Sequence, residues 1–280
     1  MNGLRPQAPL LIAIDLDGTL VEPRMPVRPA PVAAVKRALA AGVKVTIVTG
    51  RMIVAAKPFA GLLDLDGPIV CYQGAVIADA RSGRIIRETP LPNAVALHAY
   101  GVAKAHGYHV QFYREDRFYA EEDNEYTRLY ARTSGSEPIL VASLPEAFAG
   151  GDSTKVNIVT DPVRAAAALA LMQATVGADA YVTRSNPEFV ELLSPKVDKG
   201  VALREVAAHY GIPMERVAAI GDSYNDLPLL RAAAFGIAMG SAPEELKAEA
   251  HAVVGDVEHD GVAEAIERFV LGGELENANP

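Results

Sequence analysis

The sequence has one cysteine, no tryptophan and fewer basic than acidic residues. The lone Cys71 excludes an internal disulfide and any zinc or iron–sulfur site built from several cysteines, and it is typical of a protein in a reducing cytoplasm. With 26 Lys and Arg against 35 Asp and Glu, the formal charge of the 280-residue chain is −9, and no stretch is rich in basic residues. Because phosphate backbones are bound by clustered basic side chains, we do not expect nucleic acid as a partner.

Long apolar runs are also absent. Leu10–Ile14 is followed by Asp15, far short of the about 20 apolar residues that a membrane span needs. Ala165–Ala178 is mostly alanine and contains Gln173, which is typical of a packed helix. We therefore expect no membrane partner and a cytoplasmic location. Half of the residues are hydrophobic, so the chain can bury the cores of about two ordinary domains.

Apolar runs of strand length alternate with helix-like segments at both ends of the chain. The predicted strands are Leu10–Ile14, Val43–Val48, Ile69–Tyr72, Val217–Ile220, Phe235–Ala238 and Ala252–Val254. The predicted helices are Val32–Ala41, Gly200–Tyr210, Asp226–Ala233, Pro243–Ala250 and a last one near Val262–Leu271. This alternation predicts an α/β fold, a doubly wound and Rossmann-like parallel sheet with helices on both faces.

The middle of the chain differs, because most of the tyrosines and phenylalanines lie there. Short extended segments such as His109–Tyr113 and Lys155–Thr160 alternate with helical ones such as Pro162–Val176, which indicates an α+β segment inserted into the first domain. We predict a core formed by residues 1–86 and 190–280, with a cap domain formed by residues 87–189 between its two parts.

Two carboxylates, Asp15 and Asp17, follow the first predicted strand, and Gly18 comes next. Ligands of parallel α/β sheets bind at the carboxyl ends of the strands. Neighbouring carboxylates repel each other unless a cation or a proton joins them, so this pair indicates a site. The alternative is a structural loop in which Asp17-Gly18 forms a turn and Asp15 caps a helix.

Two further strand ends carry polar residues. Val43–Val48 is followed by Thr49-Gly50, whose hydroxyl and backbone N–H are suited to phosphate oxygens, although Thr49 as the N-cap of a helix explains the pattern equally well. Val217–Ile220 is followed by Asp222 and Asp226. Magnesium prefers oxygen ligands of this kind and is usually held by one or two carboxylates with phosphate and water.

A lysine, Lys199, opens the helix before the last carboxylate pair. Alone, it is most simply a solvated residue at a helix start. Together, four segments in this order resemble the four motifs of the haloacid dehalogenase superfamily: Asp15-x-Asp17-Gly18-Thr19, Thr49-Gly50-Arg51, Lys199-Gly200 and Gly221-Asp222-x-x-Asn225-Asp226. The late position of the inserted segment is similar to the Cof-like branch, which has a type IIB cap between the second and third motifs.

The resemblance implies a Mg²⁺-dependent phosphatase that acts on small phosphomonoesters, sugar phosphates or cofactor phosphates, through an aspartyl-phosphate. It implies these roles: Asp15, Asp17 and Lys199 catalytic; Asp15, Asp17, Asp222 and Asp226 at the metal; Thr49, Gly50, Lys199 and Asn225 at the phosphate. Within this set, Asp15 is the expected nucleophile and Asp17 the acid and base. Asp226 is expected to fix either the waters of the metal or Lys199.

The resemblance leaves open the leaving group and the fate of the phosphoryl group. The substrate side chains to test first are Arg51, Arg184, Asn186 and Glu188, although the last three also fit a turn between two strands. A phosphotransferase or phosphomutase with the same intermediate remains an alternative, as does a Mg²⁺-dependent phospho-acceptor protein. Gln73 and Ser241 depart from the branch, which usually has asparagine at both positions. The oligomeric state stays open.

Overall fold

The computed structural model describes residues 8–22 and 25–272. Its strands are β1 (Leu11–Ile14), β2 (Lys44–Ile47), β3 (Pro68–Cys71), β4 (Val76–Asp79), β5 (Ile85–Glu88), β6 (His109–Arg114), β7 (Arg117–Ala120), β8 (Ile139–Leu140), β9 (Val156–Val159), β10 (Tyr181–Asn186), β11 (Phe189–Leu193), β12 (Val217–Gly221), β13 (Phe235–Ala238) and β14 (Ala252–Val253). Its helices are α1 (Pro29–Ala40), α2 (Ile53–Leu62), α3 (Asn93–Ala105), α4 (Glu125–Ser134), α5 (Leu144–Ala147), α6 (Pro162–Val176), α7 (Lys199–His209), α8 (Leu227–Ala232), α9 (Glu244–Glu249) and α10 (Gly261–Ala265). The last helix continues as a π-helical segment, Ile266–Leu271.

The central sheet is parallel, with the strand order β14-β13-β12-β1-β2. Strand β1, which lies between β12 and β2, is completely buried, and its residues alternate between two apolar clusters. Ile12 and Ile14 pack in the cluster that includes α1 and α10, whereas Leu11 and Ala13 pack in the cluster that includes α7 and α8. The sequence of a strand that is buried on both faces is a continuous apolar run. The prediction of a doubly wound parallel sheet is therefore confirmed.

A second, six-stranded sheet has the order β10-β11-β9-β6-β7-β8 and is antiparallel except at the β7–β8 pair. Phe112 faces the cluster that contains α3 and α6. Its neighbour Tyr113 faces the opposite side, where it shares a cluster with residues of the central sheet such as Ile14. One face of this sheet therefore packs toward the strands that carry the predicted motifs.

A third, antiparallel sheet with the order β3-β4-β5 was not expected, because the sequence analysis predicts no strand at β4 or β5. An isolated parallel bridge between Val48 and Val70 joins it to the edge of the central sheet beside β2. Both isoleucines of β5 are exposed, so the strand has no apolar face that a pattern could reveal. The predicted boundary between residues 86 and 87 falls inside β5. The division into a core and an inserted cap domain stays a prediction.

The β6–β7 hairpin contacts the helix that follows β2. The carboxylate of Asp116, in the tight turn, accepts hydrogen bonds from the backbone N–H groups of Ile53 and Val54, both at 2.8 Å. Helix α2 has no cap from its own first residues, so a distant carboxylate satisfies these N–H groups. The hydroxyl of Tyr72 donates to the same carboxylate at 2.9 Å. This contact holds the six-stranded sheet over the carboxyl ends of β1 and β2.

No helix within residues 8–22 and 25–272 combines the length with the apolar character that crossing a bilayer requires.

Candidate active site

Three carboxylates meet at the carboxyl ends of β1 and β12. Asp15, Asp222 and Asp226 each place one oxygen within 4.8 Å of the others. Asp15 and Asp226 are buried and Asp222 is half-buried. Gly18 adopts a φ of +83°, and a Cβ atom on it would overlap the Asp222 carboxylate. Glycine at this turn therefore lets the β1 loop approach the β12 loop. No helix begins at Asp15, so the alternative of a helix cap is wrong.

Lys199 lies between two of these acids. Its Nζ donates to Oδ1 of Asp15 at 2.6 Å and to Oδ1 of Asp226 at 2.5 Å, and the side chain is fully buried. Burial alone lowers the pKa of this ammonium, but the two carboxylates outweigh burial, so the pKa lies above its ordinary value and the lysine is charged. The interpretation of Lys199 as a solvated helix-start residue is wrong. The helix start itself is capped by Asp198, which accepts from the backbone N–H of Val201 at 2.7 Å.

Asp226 has both oxygens occupied by the protein. While Oδ1 accepts from Lys199, Oδ2 accepts from the backbone N–H groups of Asp222 at 3.1 Å and Ser223 at 3.0 Å. It therefore orients the loop after β12 and the lysine. Asp222 accepts at Oδ1 from the hydroxyl of Thr19 at 2.7 Å. Among the described residues, the Oδ2 atoms of Asp15 and Asp222 accept no hydrogen bond.

A divalent cation fits this donor set. Three carboxylates with a single lysine leave an excess of negative charge in a buried place. Burial, followed by the charge of Asp226, raises the pKa of Asp15 well above its usual range. The same two causes raise the pKa of Asp222 to about 7. Hard oxygen ligands without sulfur or imidazole favour Mg²⁺-like ions.

Asp17 lies apart from the three carboxylates and pairs with Arg51. The guanidinium donates from Nε to Oδ2 at 2.8 Å and from Nη2 to Oδ1 at 2.5 Å, a bidentate arrangement. Arg51 also lies over the ring of Phe59, with its Cζ atom 4.7 Å from the ring centroid. The predicted substrate residue Arg51 thus holds the predicted acid and base, and both face the same cavity as Asp15.

Thr49 and Gly50 line this cavity beside Asp15. The hydroxyl of Thr49 accepts from the backbone N–H of Arg51 at 3.2 Å, and helix α2 has Met52 at its N-cap position. The alternative of Thr49 as the helix cap is therefore wrong. Asn225 also lines the cavity and is buried. Of the predicted phosphate-binding residues, Thr49, Gly50 and Asn225 thus line the cavity with Asp15, whereas Lys199 does not line it and contacts Asp15 instead.

The cavity lies between the central sheet and the six-stranded sheet. Its lining residues are Asp15, Asp17, Thr49, Gly50, Arg51, Met52, Ala55, Tyr130, Thr133, Ser134, Lys155, Ser185, Asn186, Phe189, Glu191, Ser223 and Asn225. Of the three predicted substrate residues outside the motifs, only Asn186 lines it. Arg184 is exposed and faces a groove beside Tyr181, while Glu188 faces a depression with Arg132.

Sequence analysis missed a buried ion pair between Lys155 and Glu191 in this cavity. Tyrosine rings surround the ammonium, with the centroids of Tyr113 at 4.8 Å and Tyr130 at 5.8 Å. Burial lowers the pKa of Lys155, but the charge of Glu191 opposes it and the pKa is raised overall. A glutamate inside the apolar run of β11 was the available signal, because a buried strand rarely carries an unpaired charge.

Metal binding is expected to stabilise the protein more at pH 8 than at pH 6. The raised pKa of Asp222 means that its protonated form favours the folded metal-free chain, a contribution that is complete below pH 3.8 and lost as the pH rises through about 7. A cation replaces that proton. At 100 times its dissociation constant, Mg²⁺ adds about 2.7 kcal/mol. Thermal unfolding with and without Mg²⁺ at the two pH values measures this difference.

The matched variants for this measurement are Asp222→Asn at the site and Asp179→Asn on an exposed turn. Asp222→Asn should remove most of the Mg²⁺-dependent shift, and Asp179→Asn should keep it. Equal shifts at both pH values, or an undiminished shift in Asp222→Asn, would contradict the assignment.

Comparison with known proteins agrees with this geometry. A family profile described as haloacid dehalogenase-like hydrolase matches residues 12–266. The chain is 32% identical over 268 residues to the pyridoxal phosphate phosphatase YbhA of Escherichia coli, covering 91% of this chain and 97% of that protein.

Solved structures give the same result. A haloacid dehalogenase-like hydrolase from Bacteroides thetaiotaomicron is 29% identical with a TM-score of 0.81, covering 92% of this chain and 98% of that one. The subclass IIB sugar phosphatase BT4131, at 22% identity, shares the fold with a TM-score of 0.80 over 92% of this chain and 98% of its own. The profile match covers most of the chain, and the fold is shared over nearly its whole length. The chain therefore belongs to the haloacid dehalogenase-like hydrolases, in their Cof-like branch.

Proposed function

We propose that the protein is a Mg²⁺-dependent phosphatase that hydrolyses small phosphomonoesters through an aspartyl-phosphate on Asp15. One observation carries this proposal: Asp15 and Asp222 converge beside the charged Lys199, at a cavity closed by a second sheet. An acidic chain with a cationic lysine bound to the Asp15 carboxylate suits a small phosphorylated metabolite. The phosphatase activity of relatives such as YbhA supports the same reaction.

The metal would be held by the carboxylates of Asp15 and Asp222 and by the backbone carbonyl of Asp17. When bound, a divalent ion neutralises charge on the phosphoryl oxygens and helps to orient them. Asp226 contributes by fixing Lys199 and the β12 loop, since both of its oxygens are already occupied. This is the second of the two roles expected for it from the sequence.

Asp15 would supply the nucleophile. Its Oδ2 atom attacks phosphorus opposite the leaving oxygen, and the bond from phosphorus to the leaving oxygen breaks. Oδ1, which accepts from Lys199, has a second lone pair that the metal would use. A carboxylate is a weak nucleophile, so positioning supplies much of the catalysis, and Lys199 provides it by holding the other oxygen at 2.6 Å. The hydroxyl of Thr49, the N–H of Gly50 and the amide of Asn225 donate to the phosphoryl oxygens.

Asp17 would transfer the proton in both half-reactions. In its protonated form it gives its proton to the leaving alkoxide. The carboxylate that results, the form that Arg51 binds bidentately, then takes a proton from the water that attacks the phosphorus of the aspartyl-phosphate. Inorganic phosphate leaves and Asp15 is regenerated. Arg51 aims the Asp17 carboxylate through its bidentate contact, so it acts on the reaction by positioning the acid and base.

We also propose that residues 87–189 form a cap domain on a core of residues 1–86 and 190–280. The cap would exclude water during the first half-reaction and enclose the leaving group. Tyr130 and Phe189 present rings to the cavity beside the polar Ser185 and Asn186. Such a wall suits a flat or ring-shaped leaving group, which is the organic part of either a cofactor phosphate or a sugar phosphate. YbhA, a phosphatase of pyridoxal phosphate, belongs to the first class.

Hydrolysis is favoured over two alternatives. A phosphotransferase or phosphomutase would pass the phosphoryl group to a second hydroxyl, and the relatives identified above are named phosphatases. A phospho-acceptor regulatory protein has no leaving group to enclose, whereas this cavity is covered by the six-stranded sheet. A cytoplasmic location remains part of the proposal and rests on the single, buried and unpaired Cys71.

The test is a panel of phosphomonoesters assayed for release of inorganic phosphate with Mg²⁺ and with a chelator. We expect turnover of sugar phosphates or cofactor phosphates with Mg²⁺, and its loss with the chelator. Adding a second sugar as acceptor, or a bisphosphate activator, should not divert the phosphoryl group. Transfer to the acceptor in place of release would establish the phosphotransferase, and no turnover of any ester would reject the enzyme assignment.

A further inference from the structure

Gln73 lies behind the wall of the cavity, in contact with the lining residues Gly50, Glu191 and Asn225. It lies in the 3₁₀ turn Tyr72–Gly74 that follows β3, with left-handed backbone angles of φ 55° and ψ 22°. The side chain is completely buried, and its backbone N–H donates to the carbonyl of Thr49 at 3.0 Å. A Cβ atom on Gly50 would overlap the Gln73 amide, so the two residues are in close contact. Gln73 therefore supports the phosphate-binding loop from behind.

The Gln73 amide joins the two sheets. Its Nε2 donates to Oε2 of Glu191 at 2.7 Å, and its Oε1 accepts from Nδ2 of Asn225 at 3.1 Å. Glu191 belongs to β11 of the six-stranded sheet, and its Oε1 pairs with Lys155, which precedes β9. The Lys155 ammonium also lies 3.5 Å from the carbonyl oxygen of Gly50. These contacts form a continuous chain from the second sheet to the phosphate side of the cavity.

Only one assignment of donors and acceptors fits this series of hydrogen bonds. An ammonium can only donate and an ionised carboxylate can only accept, so Glu191 must receive the NH₂ group of Gln73. The oxygen of Gln73 then faces Asn225 and must receive the NH₂ group of that residue. An amide nitrogen carries two protons, and one of them remains for a further acceptor in the cavity. The Oδ1 of Asn225 is buried and, within the described residues, has no partner that would favour the opposite orientation.

We propose that Gln73 is a positioning residue that couples the Lys155–Glu191 pair to Asn225 and so orients the amide donor for a phosphoryl oxygen. This inference rests on the proposed function, because it deepens the role of Asn225 at the same site. The reach of the side chain matters: asparagine is shorter by about 1.5 Å and cannot keep both contacts. Asparagine also tolerates a left-handed backbone, so Gln73→Asn shortens the side chain without straining the turn.

The experiment is calorimetric titration of inorganic phosphate, with Mg²⁺ present, into the wild type, Gln73→Asn, Asn225→Ala and the double variant. Loss of one aligned hydrogen bond should weaken phosphate binding about fivefold in each single variant. The double variant should bind no more weakly than Asn225→Ala alone, because Gln73 acts through Asn225. Gln173→Asn, on the exposed surface of α6, is the matched control and should bind like the wild type.

A second variant tests the polarity directly. Glu191→Gln keeps the shape but offers one acceptor oxygen to two donors, Lys155 and Gln73, and it removes a negative charge from the cavity wall. The effect of Gln73→Asn is therefore measured again in this background, where it should be smaller than about fivefold. Thermal unfolding of each variant checks that the chain is folded. Unchanged phosphate affinity in Gln73→Asn, or a Gln73→Asn effect that is equally large without the Asn225 amide or in Glu191→Gln, would overturn the inference.

The result can be separated from that of the proposed function, because phosphate binding requires no turnover. Coupled losses of affinity in a protein that hydrolyses no ester would support the positioning role and reject the phosphatase. Metal-dependent hydrolysis, together with losses of phosphate affinity that add fully in the double variant, would support the phosphatase and reject the positioning role. In a hydrolysing protein, the KM for p-nitrophenyl phosphate should rise in Gln73→Asn by more than kcat falls, since the lost contact serves phosphate binding.

Discussion

Replacing Asp15 by asparagine should lower the rate of phosphomonoester hydrolysis on the order of 10³-fold or more, since the amide cannot form the acyl phosphate. The side chain is buried at the end of β1, one oxygen is bound by Lys199, and the structure offers the other to the cavity. The proposed phosphate ligands Asn225 and Thr49 are unchanged in this variant, so it should still bind substrate after turnover is lost. Single-turnover phosphate release, with substrate binding measured separately, distinguishes the two effects.

Chemical trapping gives an independent measurement. Borohydride reduces an acyl phosphate to an alcohol, so a wild-type enzyme quenched during turnover should contain homoserine at position 15, detectable by mass spectrometry of the peptide. Asp179→Asn, on an exposed turn, serves as the control and should keep both turnover and the label at position 15. Full activity in Asp15→Asn, or reduction at another aspartate, would place the nucleophile elsewhere.

Replacing Lys199 by methionine should have the largest effect on stability. The ammonium is the partner of both Asp15 and Asp226, which are buried. Removing one partner of a buried ion pair costs about 3 kcal/mol or more of unfolding free energy, because the remaining charges are uncompensated. Hydrolysis should fall by about 10²-fold or more, since Asp15 also loses the group that positions it for attack. Urea unfolding and steady-state kinetics measure the two losses.

The stability loss in Lys199→Met should depend on pH in a defined direction. Burial and Asp226 raise the pKa of Asp15, and Lys199 opposes them, so its removal raises that pKa further. A raised folded-state pKa contributes stability at low pH that disappears as the pH rises, so the metal-free variant should be less destabilised at pH 5 than at pH 8. The exposed Lys196→Met should match the wild type. A pH-independent loss in Lys199→Met would show that packing, rather than charge, is responsible.

Much of the site could be predicted because its residues are marked locally. Asp15, Thr49 and Gly221 each stand at or directly after the end of an apolar strand, and parallel strands bring their carboxyl ends to one edge. The bounds of helix α6 and strand β13 match the predicted ones, since Pro162 starts the helix and both segments have clear apolar patterns. Strand β5 was missed because its isoleucines are exposed.

The residues outside the motifs were harder to place. Arg184 and Glu188 lie within three positions of Asn186, but the irregular register of the β10–β11 hairpin at Arg184 and Asn186 separates their directions. Only Asn186 reaches the cavity that contains Asp15. The hydrogen bonds that Glu191 accepts from Lys155 and Gln73 join residues far apart in the chain. No local sequence pattern identifies the partners in such contacts.

The sequence by itself determined the class of fold and the type of chemistry, because strand periodicity and acids at strand ends are local properties of the chain. Its single cysteine also excludes a metal site built from several cysteines. Only the tertiary structure decided which carboxylate oxygens other groups of the protein occupy. Asp226 is occupied by Lys199 and by two backbone N–H groups, whereas Asp15 and Asp222 each retain an oxygen. That division depends on hydrogen bonds between distant strands, which form only when the sheets pack together.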